Sequence, residues 1–406
     1  MSKQEGPLAG ITVVDFTQMM AGPFATQLLA DLGASVVKVE KPVTGEWERG
    51  LSSMGEYFHG QSPFFLAMNR GKRSLAVDLK SEAGRAVVRK LIEKADVVTS
   101  NFRPGTLERL GFGFDDVRAI NPHAVYASSS GYGTTGPWAK RPGQDLLLQA
   151  VSGMLAQSGR SGELPTPVAN SVIDAMTALY NVVGILAALV GRGKAIDVGE
   201  IQVSMLEAAI AIQCQEISAH INLNQRFERS SSGLAAPWND APYGVYETQR
   251  GSIAIAMADL ALLGKILEVP ELNLIASTGD TFSQRDRARV VLQEAALVFR
   301  RDDLVDLLLQ HDVWCAPVLG FEEVTELEQV ADSGILKTLH HEIYGSFVTP
   351  GLPVGFSNFE PSYEAAPPLP GEHTDEILRE LGLSDAEIQD LKAGKYISSP
   401  KSSEDA

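Results

Sequence analysis

The feature that most constrains this chain is a strand–helix–strand pattern at its start. Residues 11–16 form an apolar run rich in β-branched side chains that reaches Asp15 and Phe16. Gly22-Pro23 then opens a helical stretch at residues 24–32, closed by Gly33, and residues 35–40 (Ser-Val-Val-Lys-Val-Glu) read as a second strand. The alternation continues with a strand at 75–78, a helix at 82–94 and strands at 96–99 and 124–130. Parallel neighbours need a crossover connection, and helices supply it, so the pattern predicts an α/β fold with a mostly parallel sheet covered on both faces. The first strand-to-helix turn runs from Asp15 to Pro23 without a G-x-G-x-x-G, which argues against a nicotinamide dinucleotide ligand.

Beyond residue 170 the periodicity changes. Helices are expected at 173–190 and 201–222, joined by Gly191-Arg192-Gly193, and the Ser-rich stretch 229–233 reads as a linker. Strand-like segments at 243–247 and 253–257, followed by helices up to about His311, suggest a smaller α+β domain. Pro367-Pro368-Leu369-Pro370-Gly371 marks an extended segment near the end. The expected organisation is a large domain from 1–200, a linker helix at 201–228, a small domain at 229–325, a segment at 326–398 that returns to the large domain, and a disordered tail at 399–406.

Composition narrows the function. A formal charge of −17, from 34 Lys+Arg against 51 Asp+Glu, argues against a nucleic-acid-binding body. The two cysteines, Cys214 and Cys315, lie far apart, and no CxxC or HExxH is present, so neither a disulfide framework nor a structural metal is expected. The start of the chain lacks the build of a signal peptide, and the apolar stretch 182–190 is short for a bilayer span; a soluble cytoplasmic protein with no membrane partner is expected.

Several residues could carry chemistry. Asp174 stands where an apolar helix begins, where the helix dipole favours its ionised form and makes it a candidate nucleophile; an acid in that place can equally just stabilise its helix. Basic residues collect near predicted strand ends: Lys38 and Lys41, then Arg70, Lys72, Arg73 and Lys80, then Arg103 and Arg109, then Lys140 and Arg141. Ligand phosphates in an open parallel sheet bind beyond the strands' carboxyl ends, where such cations would meet them, although each could be a solvated surface charge. The loop Ser130-Gly131-Tyr132-Gly133-Thr134-Thr135-Gly136-Pro137 permits close backbone approach to a ligand or simply makes a turn. His373 is a candidate base or a helix-start residue, and His340-His341, without metal-ligand spacing, is expected on the surface.

With these segments in hand, the chain resembles the class III CoA-transferase family, which includes formyl-CoA transferases, carnitine CoA-transferases and α-methylacyl-CoA racemases. The likeness is carried by Asp15-Phe16-Thr17 with Ala21-Gly22-Pro23, by Val37-Lys38-Val39-Glu40, and by Asn69-Arg70-Gly71-Lys72-Arg73-Ser74. Asn101-Phe102-Arg103-Pro104-Gly105, Gly131-Tyr132-Gly133, residues 184–189 and Gly371-Glu372-His373-Thr374 extend it over nearly the whole chain. The resemblance implies that Asp174 is the catalytic aspartate, passing through an aspartyl anhydride and an aspartyl-CoA thioester. It implies that Gln18, Ala21, Lys41, Val77, Lys80, Asn101, Phe102 and Arg109 line a CoA groove, with Lys140 or Arg141 as a further basic contact. The implied fold is a Rossmann-like large domain made from both chain ends plus a small domain, in an interlocked homodimer. CoA and acyl-CoA are implied as substrates alongside a carboxylic acid, with no tightly bound cofactor and no metal.

Two departures bear on the activity. Where racemase relatives carry a histidine before an aspartate, this chain has Gln144-Asp145, and glutamine has no useful pKa for removing an α-proton. The stretch 231–239 lacks the glycine run of formyl-CoA transferases, which puts oxalate in doubt as the acceptor. The alternatives are an acyl-CoA racemase using Asp145 and Asp174, or a CoA-binding protein without catalysis.

Overall fold

The first strand shows how the core is built. β1 (Thr12–Asp15) sends Val13 to one face of a sheet and Val14 to the other, and both are fully buried. A strand wrapped on both faces must be apolar throughout, which is why the opening run does not alternate with polar residues. The structure, a computed structural model, describes residues 5–400.

From β1 the chain continues through α1 (Ala21–Asp31), β2 (Ser35–Glu40), a single 3₁₀ turn (Trp47–Gly50), α2 (Pro63–Met68) and β3 (Lys72–Val77). Next come α3 (Glu82–Glu93), β4 (Val97–Ser100), α4 (Thr106–Leu110), α5 (Phe114–Ile120), β5 (Val125–Ser130) and α6 (Asp145–Val151). α7 (Val172–Arg192), β6 (Glu200–Ser204) and α8 (Met205–Ala211) follow. Strands β7 (Gly244–Glu247), β8 (Ser252–Ile255) and β9 (Cys315–Pro317) come later, then the hairpin β10 (Leu336–His341) and β11 (Gly345–Pro350), helices Thr374–Glu380 and Asp385–Ala393, and β12 (Ile397–Ser398).

The seven-stranded sheet has the order β12-β3-β2-β1-β4-β5-β6. All its pairs are parallel except β12 with β3, so the end of the chain closes one edge of a sheet begun by its start. The winding runs outward from β1 to β3 and then restarts on the other side at β4, which makes the β1/β4 boundary a switch point in strand order. On one face α1 and α7 cover Val13, Val36, Val97 and Val125; on the other, α3, α5 and helix Thr374–Glu380 cover Val14, Val37, Leu75 and Val98. The α/β class and the mostly parallel sheet agree with the sequence reading.

Two compact units emerge. The first holds the described residues up to Leu148, Ser171–Ala209 and those from Ala331 on; the second holds Gln149–Asn170 and Ile210–Val330. Residues 149–170 therefore group with the second unit, although the sequence reading placed them in the 1–200 domain. The expected linker helix 201–228 begins instead with strand β6, which pairs in register with β5 (Ala127 opposite Ile201). Ile201 and Val203 alternate with polar neighbours, a period of two that favours a strand over a helix. The expected tail 399–406 lies largely outside the described residues, but Ser399 is held by a 2.8 Å hydrogen bond to Asp375.

In the second unit, Tyr246, Leu263, Leu272, Leu292 and Leu308 form a core beneath the antiparallel sheet β7-β8-β9. The Ser-rich stretch read as a linker is anchored there, with Ser232 donating both its amide (3.0 Å) and its hydroxyl (2.7 Å) to Asp286.

α7 also differs from expectation. The apolar stretch extends to a 21-residue helix, long and apolar enough by length and composition to cross a membrane. Ala178, Val182, Ile185 and Ala188 are buried in the same core as the sheet, which marks it as a core helix.

Candidate active site

At the carboxyl ends of β1, β4 and β5 the first unit encloses a cavity of about 580 Å³. Its lining comes from the segments that leave those strands: Gln18 to Ala21 after β1, Asn101 to Pro104 after β4, and Ser129 to Gly131 at the end of β5. Trp47 and Glu48 from the 3₁₀ turn and Leu51 just after it, with Phe64 and Met68 from α2, form a largely apolar wall that includes one acid. Asp174, in the first turn of α7, lines the same space.

The floor is fixed by a buried charge network. Asp15 accepts hydrogen bonds from the amide of Thr17 (2.7 Å), the hydroxyl of Thr26 (2.7 Å) and the Lys72 ammonium (3.2 Å). Burial alone would raise the Asp15 carboxyl, but Lys72, Lys38 and the threonine hydroxyls outweigh it and hold the group below its ordinary range. Lys72 also donates to the Asn69 side chain (2.8 Å) and the Pro23 carbonyl (3.0 Å), while burial pulls its ammonium down to about 8. Lys38 donates to the Thr17 carbonyl (2.8 Å) and pairs with Glu46 at 3.2 Å. Glu46 accepts the amide of Met19 (3.0 Å), whose φ of 63° lies in the left-handed region that a non-glycine residue rarely occupies. The strained turn between β1 and α1 is thus pinned from below. Asn101 pins it from the side, accepting the Gln18 amide at 2.8 Å and donating to the Gln18 carbonyl at 2.6 Å.

These contacts change the reading of the basic residues. Lys38 and Lys72 are fully buried structural cations, and Arg70 forms a two-pronged pair with Asp31 (2.9 and 2.6 Å). Arg73 pairs with Glu376 and Glu380. Ligand phosphates cannot use Lys38, Lys72 or Arg70 without dismantling internal pairs. Of the cluster, only Arg103 and Arg141 line the cavity, the latter with its guanidinium 4.3 Å from the centre of the Trp138 ring.

The expected groove residues divide in the same way. Gln18, Ala21, Asn101 and Phe102 come together in the cavity lining with Asp174. Lys41, Lys80, Arg109 and Lys140 are exposed and outside it, while Val77 is a core residue of β3 opposite Ile397. The glycine loop contributes Gly131, which packs so closely on Gly143 that a Cβ on Gly131 would lie 2.5 Å from the Gly143 Cα.

Asp174 departs from its expected electrostatics. The positive end of α7 is already occupied: Asp145 Oδ2 accepts the amides of Ile173 (2.7 Å) and of Asp174 itself (3.1 Å). The helix dipole therefore stabilises Asp145 first. Burial, reinforced by the nearby Asp145 charge, pushes the Asp174 carboxyl up to about 7 instead of favouring its ionised form. Asp145 is buried and does not line the cavity, whereas Gln144 does.

Glu48 was not singled out from the sequence. It is 4% exposed, and burial with the neighbouring Glu46 charge pushes it up to about 8. The only signal lay in Glu46-Trp47-Glu48-Arg49, two acids flanking an aromatic, and nothing local says which acid is paired. His373 has a structural place, accepting the Ser74 amide at 3.3 Å through Nδ1 as the first residue before a helix. His341, expected on the surface, is buried and stacked on Tyr344 with ring centres 4.1 Å apart, because β10 turns its side chain inward.

Comparison with known proteins bears on what this cavity serves. The chain is 33% identical to human succinyl-CoA:glutarate CoA-transferase over 383 residues, covering 92% of this chain and 86% of that protein. It is 31% identical to formyl-CoA:oxalate CoA-transferase of Streptomyces avermitilis over 410 residues, covering 96% of this chain and 99% of that protein. Among solved structures, a CaiB/BaiF family protein from Brucella suis superposes with a TM-score of 0.81 at 29% identity, over 93% of this chain and all of that one. The profile of CoA-transferase family III matches residues 8–374, a span that holds the whole cavity and Asp174, and the chain belongs to that family.

Proposed function

We propose that this protein moves CoA from an acyl-CoA donor to a carboxylic acid acceptor, with Asp174 as the carrier. The observation that carries the reading is the Asp174 carboxyl: it faces an apolar cavity, it is pushed up to about 7, and it is not consumed by capping its own helix. A carboxylate stripped of water is a stronger nucleophile than a solvated one, and at neutral pH about half of such a group is ionised.

Asp174 attacks the donor thioester carbonyl, forming a mixed anhydride and releasing CoA as thiolate. The thiolate attacks the aspartyl carbonyl, the donor acid leaves as carboxylate, and an aspartyl-CoA thioester remains. The acceptor carboxylate attacks that thioester to give a new anhydride, the thiolate attacks its acceptor acyl carbon, and Asp174 is regenerated. No net proton is consumed, so no strong acid or base is required. In this reading amides of the Gly131 loop, which lines the cavity, stabilise the oxyanions. In this reading Gln18, Ala21, Asn101 and Phe102 hold the thioester end, and the exposed Lys41, Lys80, Arg109 and Lys140, or Arg141, serve the nucleotide phosphates.

The racemase alternative is weakened because Asp145 is engaged by two backbone amides and Gln144 takes the cavity-facing place. A homodimer and a cytoplasmic location belong to the same proposal. The exposed apolar side chains Leu179, Tyr180, Val183 and Val190 of α7 are the support for self-association.

The test is intact-protein mass spectrometry after incubation with a panel of acyl-CoA thioesters in heavy water. A CoA adduct on the peptide containing Asp174, absent from Asp174→Ala, is the expected result. Deuterium entering the acyl α-carbon without an adduct would replace the transferase by a racemase.

A further inference from the structure

The turn between β10 and β11 buries a residue that a turn would ordinarily expose. Turn tips face water, and Glu342 and Ile343 do so here, yet Tyr344 beside them is buried. Its ring stacks on His341 and joins Leu66 and Leu369 in a small core, with Phe58, Phe347 and Ala366 packed around it. Leu66 belongs to α2, which carries Phe64, Ala67 and Met68 into the cavity wall. Phe58 lies between the 3₁₀ turn and α2 and meets Phe347 of β11 edge to face at 5.3 Å. The hairpin thus packs behind the wall, and among the described residues none of 336–350 lines the cavity itself.

Polar contacts run along the same line. The Tyr344 hydroxyl donates to the Pro367 carbonyl (2.6 Å), and the next carbonyl, that of Pro368, accepts from Arg49 Nη1 (3.0 Å). His341 Nδ1 accepts the Ile343 amide (3.1 Å), so the neutral ring carries its proton on Nε2 and donates it to Glu372 at 3.1 Å. Glu372 also accepts the Leu369 amide (2.6 Å). Pro367, Pro368 and Pro370 fix their own φ angles, so residues 367–371 form a stiff strap with the hairpin on one side and Arg49 on the other. Its end is tied by the Gly371 amide, which donates to Ser74 Oγ (2.8 Å), and that hydroxyl donates to Glu40 (2.7 Å). Glu40 in turn takes Arg49 through Nε and Nη2 (2.7 and 2.6 Å), and the guanidinium lies 3.5 Å from the centre of the Phe65 ring of α2. Every nitrogen of the Arg49 guanidinium is engaged, so the turn that carries Trp47 follows the strap.

We infer that the β10–β11 hairpin is a positioning element for CoA transfer, with Tyr344 as its positioning residue. Acting through the 367–371 strap and Arg49, it sets where the Trp47–Leu51 segment and α2 meet the acyl-CoA. The inference rests on CoA transfer as the activity and not on Asp174 as the carrier.

The experiment uses the full chain. Tyr344→Phe removes one hydroxyl and keeps the ring, and thermal unfolding checks that the fold is retained. Affinity for acetyl-CoA is read by calorimetry, and hydrogen exchange is followed in the peptides that cover residues 46–68. Tyr344→Phe should weaken acetyl-CoA binding about three- to tenfold and speed exchange in 46–68 by roughly the same factor. Val88→Ala, a cavity-forming change in the α3 core, should lower the unfolding midpoint and move neither readout. In an Arg49→Lys background the two-pronged grip is already lost, and Tyr344→Phe should then change the affinity by less than about twofold. Unchanged affinity or unchanged exchange in Tyr344→Phe, a Val88→Ala that moves both as far, or full additivity with Arg49→Lys overturns the inference and leaves the transferase reading standing. A wild-type protein that binds no acetyl-CoA removes both.

Discussion

Two sets of carboxylates lie within the first unit, and they are treated in opposite ways. Asp15, Glu40 and Glu46 are buried among cations: Lys72 and Lys38 serve Asp15 and Glu46, and Arg49 serves Glu40. Glu48 and Asp174 line the cavity with no cation paired to either. Glu46 and Glu48 are two residues apart, yet one holds the turn and the other is held out by it. Burial is common to both sets, so burial alone does not make a reactive carboxyl. A cationic partner makes a buried acid a brace, and the lack of one leaves its proton affinity raised.

The comparison can be broken most severely at Asp174. Asp174→Ala should lower turnover by roughly 10³-fold or more and abolish the covalent adduct while leaving CoA affinity close to unchanged, measured by steady-state assay and calorimetry. On the braced side, Lys72→Met leaves Asp15 buried without its closest cation. It should cost about 3–5 kcal/mol in urea unfolding, with loss of activity only as the fold is lost.

The pH dependence sharpens the contrast. Under the proposed mechanism only ionised Asp174 attacks, so the rate of adduct formation should rise roughly tenfold between about pH 6 and 8, centred on its pKa of about 7. A flat profile over that range would contradict the raised pKa. The stability linkage has the opposite sign. A carboxyl whose folded pKa is raised binds its proton more tightly in the native state, so it stabilises at low pH, and that contribution is lost as pH rises from the unfolded value through about 7. Asp174→Asn should therefore unfold at a higher temperature than the wild type at pH 8, and the gain should shrink toward pH 5. Arg118→Ala, which removes a pair with Asp197 on the surface, should leave the unfolding midpoint unmoved within error.

Much of the first unit was legible along the chain because its signals are local. The apolar runs of β1, β2 and β4, the helix signals around α1 and α3, and the Asp174 position at a helix start all read correctly at short range. β6 did not. Its strand is only five residues long and runs straight into helix α8, so its alternation is brief, and pairing with β5 is what fixes it. The basic residues misled for a related reason. Lys38, Arg70 and Lys72 occupy strand ends like phosphate ligands, but their partners Glu46, Asp31 and Asp15 are brought to them by the fold.

The sequence by itself determined the α/β class, the absence of a dinucleotide fingerprint, and the acid that stands at the start of α7, since each depends on residues a few positions apart. The tertiary structure alone decided how the charges are apportioned. Asp145 reaches the amides of Ile173 and Asp174 from 28 and 29 residues away and takes the helix dipole from Asp174. Lys72 reaches Asp15 across 57 residues, while Glu48 is left facing the cavity. A carboxyl's proton affinity depends on its distance from water and from other charges, and those distances are set only when the sheet, the helices and the turn that carries Glu48 have packed together.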